Sequence, residues 1–376
     1  MTPDDLERHA WLRLTLTEGV GDLSARRLLA RFGLPQHIFT QSRVALMEVV
    51  TARQADALLA PPAAWAEACK QTDGWLAEGA DRHMLTLSDA GYPHALLQTA
   101  DPPVVLYARG RLDALSAPLV LAMVGSRNPT PQGAQTAHDL AQVLAAQGVC
   151  IVSGLALGID GAAHRGALDA GGLTVAVVGT GLDRVYPRSH RDLAHAIACS
   201  GLLLSEFPLG TPPLAAHFPK RNRIIAGVSR GTLVVEAALA SGSLITARCA
   251  SDMGREVLAI PGSIHSPQSK GCHALIRQGA KLVETAAHVL EEFEIAAVSR
   301  PPAGDQASDA GDAVPSPVES PSPLLDAMGF DPVGLDALQA RTGWSTAALQ
   351  AQLLELELDG WISPLAGGQY QRVGRA

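Results

Sequence analysis

With 376 residues the chain exceeds one ordinary domain of about 150 residues, so two or three cores are expected. Apolar residues make up 47% and charged residues 18%, a balance that excludes a largely disordered chain. The net charge of −8, taken over the whole chain, argues against nucleic acid as a partner, but the charge is unevenly spread.

The opening residues, MTPDDLERHAWLRLTL, carry acids where a secretory leader needs bases, and no apolar run of about 18 residues occurs. A cytoplasmic chain with no membrane partner is expected. Gly19-Val20-Gly21 then leads into DLSARRLLARFG, with Ala25 four residues after the second glycine. This matches a helix-hairpin-helix signature whose backbone N–H groups meet a phosphate, and a purely structural turn fits the same residues. Residues 1–90 are read as an N-terminal helical domain of SAM-like or helix-hairpin-helix type. A weaker boundary falls between Pro102 and Pro118.

From there the apolar runs LVLAMV, VCIVS, LTVAVVG, LLLSEF, TLVVEA, EVLAIPG and AKLVE alternate with turns and helix-like stretches. Such runs suit strands buried on both faces and joined by βαβ crossovers. Residues 91–298 are therefore expected to form an α/β, Rossmann-like, mostly parallel doubly wound sheet. Between Ser116 and Leu290, 14 Lys/Arg stand against 10 Asp/Glu, with eight of the 12 histidines. This part is the electropositive one.

Three strands run into glycine-rich turns, VGSRNPTPQG, SGLALGIDG and VGTGLD. In open α/β sheets anions gather at such strand ends. Gly125 and Ser126 in the first turn and Gly154 in the second offer backbone to a phosphate. Arg127 follows directly and can reach an anion held at the next helix, although a solvated turn arginine fits the same position. Arg188 in VYPRSHRDL follows a third strand end and could line the same crevice. In HFPKRNRIIAG, the cations Lys220, Arg221 and Arg223 with Phe218 and Asn222 read as a rigid basic platform anchored by the apolar run after it.

Several enzyme signatures are missing. There is no GxxxxGK[ST], VGTGLDR has Arg184 where a dinucleotide fingerprint needs its third glycine, and Ser153 has Ile151 two residues before it instead of glycine. His164 has no carboxylate or nucleophile beside it by local spacing, so a packed or phosphate-facing histidine is expected. The five cysteines form no CxxC pair, so neither a disulfide framework nor a metal site is suggested, and no cofactor is expected.

Residues 299–323, SRPPAGDQASDAGDAVPSPVESPSP, cannot bury a core and read as a linker. Residues 324–376 read as three helices and a two-stranded wing with Gly367-Gly368 at its tip, a winged-helix pattern. The third helix carries Glu355, Glu357 and Asp359 and no Lys or Arg, which suits protein contact at least as well as DNA.

Taken together, VGSRNPTPQG, IVSGLALGIDGAAHRGAL, VVGTGLDRVYP, HFPKRNRIIAG, VVEAALASGSLITA and LAIPGS followed by GCHALIRQGAKLV resemble the DNA-processing protein A (DprA/Smf) family of natural transformation. The resemblance implies a non-enzymatic protein that binds single-stranded DNA without sequence preference, forms a homodimer and loads RecA. It implies nucleic-acid contacts at Arg127, Arg188 and Lys220 to Arg223, and a dimer face including His273, Ile276 and Leu282. The competing reading is a phosphoribohydrolase-like Rossmann enzyme acting on nucleoside monophosphates. The segment SRGTLVVEA lacks its paired glycine and puts Glu236 one residue late for that role.

Overall fold

The computed structural model describes residues 2–295, 322–365 and 367–373. Six helices open the chain: α1 (Pro3–Leu16), α2 (Asp22–Phe32), α3 (Pro35–Ile38), α4 (Arg43–Met47), α5 (Ala52–Leu59) and α6 (Trp65–Ala77). Thr2 starts α1 through a reciprocal cap, accepting from the Asp5 N–H while the Asp5 carboxylate accepts from its own. Trp11, Leu14, Leu28, Leu46 and Leu58 form the core between these helices.

The sheet begins earlier than the sequence suggests. β1 (Arg82–Thr86), α7 (His94–Leu97) and β2 (Val105–Gly110) follow, with β1 antiparallel to β2 and β2 antiparallel to β6 (Leu202–Ser205). Residues on both sides of position 90, and residues inside the expected Pro102–Pro118 boundary, thus belong to one nine-stranded sheet.

The other strands are β3 (Leu119–Val124), β4 (Val149–Ser153), β5 (Thr174–Val177), β7 (Gly231–Val234), β8 (Glu256–Ala259) and β9 (Lys281–Leu282). They alternate with α8 (Pro131–Ala146), α9 (Ile159–Asp169), α10 (Arg191–Ser200), α11 (His217–Val228), α12 (Ser243–Asp252), α13 (Lys270–Arg277) and α14 (Ala286–Glu292). The spatial order is β1-β2-β6-β5-β4-β3-β7-β8-β9, and β3 to β9 are all parallel. This is the doubly wound Rossmann-like sheet expected. Every residue of β3, β4 and β5 is buried, because α8, α9 and α14 cover one face while α11, α12 and α13 cover the other. The succession of strands reverses between β3 and β7, and there the loops diverge to leave a crevice.

The expected linker lies outside the described residues except for its last two, which already belong to a helix start. Ser322 accepts from the Leu324 N–H, and Pro323 begins α15 (Pro323–Met328). After β10 (Val333–Gly334) come α16 (Leu335–Thr342), α17 (Thr346–Leu358), β11 (Ile362–Leu365) and β12 (Gln369–Arg372). The wing has a third strand beyond the two expected, in the order β10-β12-β11. Among the described residues no helix is long and apolar enough to cross a membrane.

Candidate nucleic-acid interface

A cavity of about 500 Å³ opens at the β3/β7 reversal. The β3–α8 loop supplies Gly125, Ser126, Arg127 and Asn128, while the far wall is Ala238 to Ser243 with Ile245 and Thr246. Phe218, Arg221 and Asn222 of α11 form the floor with Asp160. The starts of α9 and α12, at Asp160 and Ser243, border the cavity, so their dipoles make the opening attractive to anions.

The first loop is held by backbone. The Ser126 N–H donates to the Glu236 carbonyl at 2.7 Å, its own carbonyl accepts from Ile159 N–H at 3.1 Å, and its hydroxyl accepts from Asn128 N–H at 3.1 Å. Gly125 has no space for a side chain, since a Cβ would stand 2.6 Å from Ile159 and 2.9 Å from the Glu236 carbonyl. This anchoring leaves Arg127 exposed at the cavity mouth, its guanidinium 5.6 Å from the Phe218 ring. No carboxylate lies within ion-pair reach of Arg127 among the described residues. Tyr186 also packs against Phe218, with ring centroids 5.5 Å apart.

The cations of HFPKRNR do not form one platform. They lie on α11, whose turn sends them in different directions. Arg221 is buried and donates to the Gly154 carbonyl at 2.6 Å, to the Val177 carbonyl, and to Asn222 Oδ1 at 3.1 Å. Burial pulls its pKa down to about 10, the field of Asp160 opposes that fall and Arg127 adds to it. Arg221 is therefore a brace between two strand ends that also charges the floor. Gly154 exists to admit it, because a Cβ there would lie within the guanidinium. Burial pushes the Asp160 carboxyl up, against the pull of Arg221 and of the Ala156 and Gly154 N–H groups, which it binds at 3.3 and 3.1 Å.

Arg223 is consumed elsewhere. It pairs with Glu206, with Asp22 at 3.3 Å and with Asp101 at 3.5 Å, and Lys220 joins the same group through Glu206 at 3.1 Å and Asp22 at 3.6 Å. Lys220 remains half exposed, whereas Arg223 is largely covered. These contacts bind the N-terminal helices to the sheet. Asp22 opens α2 directly after the Gly19-Val20-Gly21 hairpin, so the start of that helix faces these two cations. Asn222 donates to the Gly242 carbonyl at 3.3 Å and so ties the floor to the far wall. Arg188 is exposed two residues beyond Tyr186 but is not among the residues lining the cavity.

Two features were given no site role in the sequence. The segment ASGS, which supplies the far wall, lies within VVEAALASGSLITA, one of the segments that carry the resemblance, but it has no charge to mark it as a contact. The second is apolar. Each loop following β4 to β8 exposes one large apolar side chain: Leu157, Tyr186, Leu214, Leu239 and Ile264, with Ile245 in the first turn of α12. Parallel strands put all these loops at one edge of the sheet, so the cavity opens onto an apolar rim. His164 is packed: fully buried, bonded through Nδ1 to Thr174 Oγ1 at 2.7 Å, and driven by burial to a pKa of about 3.

The expected dimer residues separate as well. His273 bonds the Gly262 carbonyl of its own chain at 2.9 Å, and Ile276 packs partly into the core beneath α13. Leu282 is exposed on β9, the outermost strand.

Residues 83–294 match the family model described as DNA recombination-mediator protein A, and residues 308–368 match that of the DprA winged helix domain. Protein Smf of Escherichia coli is 40% identical over 99% of this chain and 97% of its own length. The DNA processing protein DprA of Streptococcus pneumoniae is 51% identical over 56% of this chain and 73% of its own length. Its X-ray structure superposes with a TM-score of 0.65 at 39% identity, covering 78% of this chain and 99% of that one. A Helicobacter pylori DNA processing protein A structure, described for its single-stranded DNA binding mode, gives 0.52 at 32% identity, covering 56% of this chain and 96% of that one.

Proposed function

The chain belongs to the DNA recombination-mediator protein A family, and from that premise we propose that it binds single-stranded DNA without sequence preference, anchored at the β3/β7 cavity. The observation that carries this reading is Arg127, an exposed guanidinium with no carboxylate partner among the described residues, at the mouth of a cavity bordered by two helix starts and an aromatic ring. A phosphate in the opening would meet that guanidinium and backbone N–H groups, with Arg221 supplying field from below. The apolar rim supports the second half of single-strand recognition, because exposed apolar and aromatic side chains give unpaired bases a surface that reads no sequence. A duplex keeps its bases stacked inside and gains little from such a rim.

Arg188 extends the basic track beyond the cavity, and Lys220 adds a cation at its edge. Arg223 acts in this reading only by holding α11 in place. No bond is made or broken. The competing hydrolase would need a free carboxylate at Glu236, and both oxygens of Glu236 accept from Thr130, at 2.9 Å from its N–H and 2.6 Å from its hydroxyl. A cytoplasmic homodimer that loads RecA onto the bound strand completes the proposal.

The test is a gel-shift titration with single- and double-stranded oligonucleotides over a range of salt. Single strands should be preferred, and with about four phosphates neutralised the log–log salt slope should be about −3. Arg127→Glu should abolish most binding while circular dichroism stays unchanged, and Arg188→Glu should weaken it. A flat salt response, unaltered binding by Arg127→Glu, or release of free base from nucleoside monophosphates would overturn the proposal.

A further inference from the structure

The third helix of the winged module, α17, is apolar on two opposite sides. Leu349, Leu353 and Leu356 are buried in the module's own core. Ala347, Ala351, Leu354 and Leu358 recur at spacings of four, three and four, which sets them on one stripe of the helix, and all four are exposed. Leu354 is 58% exposed, and Leu358, at 80%, is the most exposed large apolar side chain among the described residues. The module's fold does not require this second stripe.

The charge around it is one-sided. Glu355 and Glu357 are exposed beside the two leucines, Asp359 caps the helix, and α17 has no Lys or Arg. Acids at a helix C-terminus oppose the helix dipole and cost stability, so their placement works against the isolated module. A DNA phosphate backbone would be repelled by this surface. A second copy of α17 supplies no counter-charge either. Laid parallel it sets the acids against themselves, and laid antiparallel it brings them to Ala348 and Gln350 and meets the leucines with alanines.

We propose that the outer face of α17 is a docking surface for an amphipathic helix of a partner protein, one whose own apolar stripe is flanked by lysine or arginine. The leucines would seat between the partner's apolar side chains, and Glu355 and Glu357 would pair with its cations and fix its direction. Tapering from leucine to alanine along the stripe lets the partner lie closest at the N-terminal half and lean away at the C-terminal half. None of these residues belongs to the DNA cavity, so the proposal stands or falls apart from the DNA reading.

The experiment uses the full chain and two synthetic helical peptides with the same leucine stripe, one flanked by lysine and one by glutamate, followed by fluorescence anisotropy. The lysine-flanked peptide should bind about tenfold or more tightly than the other and weaken with salt. Leu354→Ser/Leu358→Ser should lose that binding by about tenfold or more with an unchanged melting temperature, since both positions are already exposed. Glu355→Gln/Glu357→Gln should bring the two peptides within about threefold of each other. Both variants should retain single-stranded DNA binding. Equal affinity for the two peptides, or no binding of either, overturns the proposal. So does sedimentation showing that the leucines hold two copies together, or loss of duplex DNA binding in the leucine variant.

Discussion

Gly154 is set in its place by the arginine that passes over it. Gly154→Ala would drive a methyl group into the Arg221 guanidinium, which three hydrogen bonds hold still, so the variant should lose about 1–3 kcal/mol. Thermal melting checks it: a clear fall is expected for Gly154→Ala and almost none for Arg127→Ala, whose side chain is exposed and pairs with no carboxylate among the described residues. Equal melting temperatures for the two would refute the bracing role of Arg221. Arg127 was legible in the sequence because it follows a wholly apolar strand and precedes a proline-marked helix start. Arg221 and Arg223 were not. KRNR reads as one cluster, and nothing local reveals that a helix divides it. The acids that take Arg223 come from positions 17, 122 and 201 residues away, beyond the reach of any spacing rule.

At the level of elements, α8 and α9 are joined by a histidine. His138 stands 2.8 Å from Asp169 and 3.1 Å from Asp139. Partial burial lowers its pKa, but the hydrogen bonds and charges of the two aspartates outweigh this and raise it above the ordinary histidine value. A raised folded-state pKa gives stability that is fully present below the unfolded value, about 6.5, and is lost as pH rises through the folded one. His138→Gln should therefore lower the melting temperature more at about pH 5.5 than at about pH 8.5. A difference that does not vary with pH would show the pair to be idle. The strands β3 to β7 could be read from sequence because burial on both faces makes them continuous apolar runs, and β8 because its buried end, Leu258 and Ala259, continues into the apolar Ile260. β1 and β2 could not, since β1 is half polar and β2 lies between prolines and a short helical turn. Their antiparallel pairing to the sheet is a tertiary fact. β10 is only two residues long and follows the same logic.

For the molecule as a whole, β9 leaves a short open edge carrying Lys281 and Leu282, both exposed. A two-fold partner pairing there would cover Leu282 and bring two β3/β7 cavities into one particle, which under the proposed DNA binding would raise avidity for a long strand. Leu282→Glu should then yield a folded monomer by light scattering, whereas Ile276→Glu, at a position partly inside its own subunit, should also melt at a lower temperature. A Leu282→Glu protein that still runs as a dimer would remove β9 from the interface.

The cavity also has a place in the order of synthesis. Its near wall is residues 125–128 and its far wall residues 238–246, and the strand that brings them together, β7, is made after β4, β5 and β6 have been laid on the opposite side. The two walls are thus more than a hundred residues apart in sequence, and they meet only when β7 pairs with β3. A chain that stops before residue 238 lacks the far wall altogether, so the cavity exists only once β7 and the segment after it are in place.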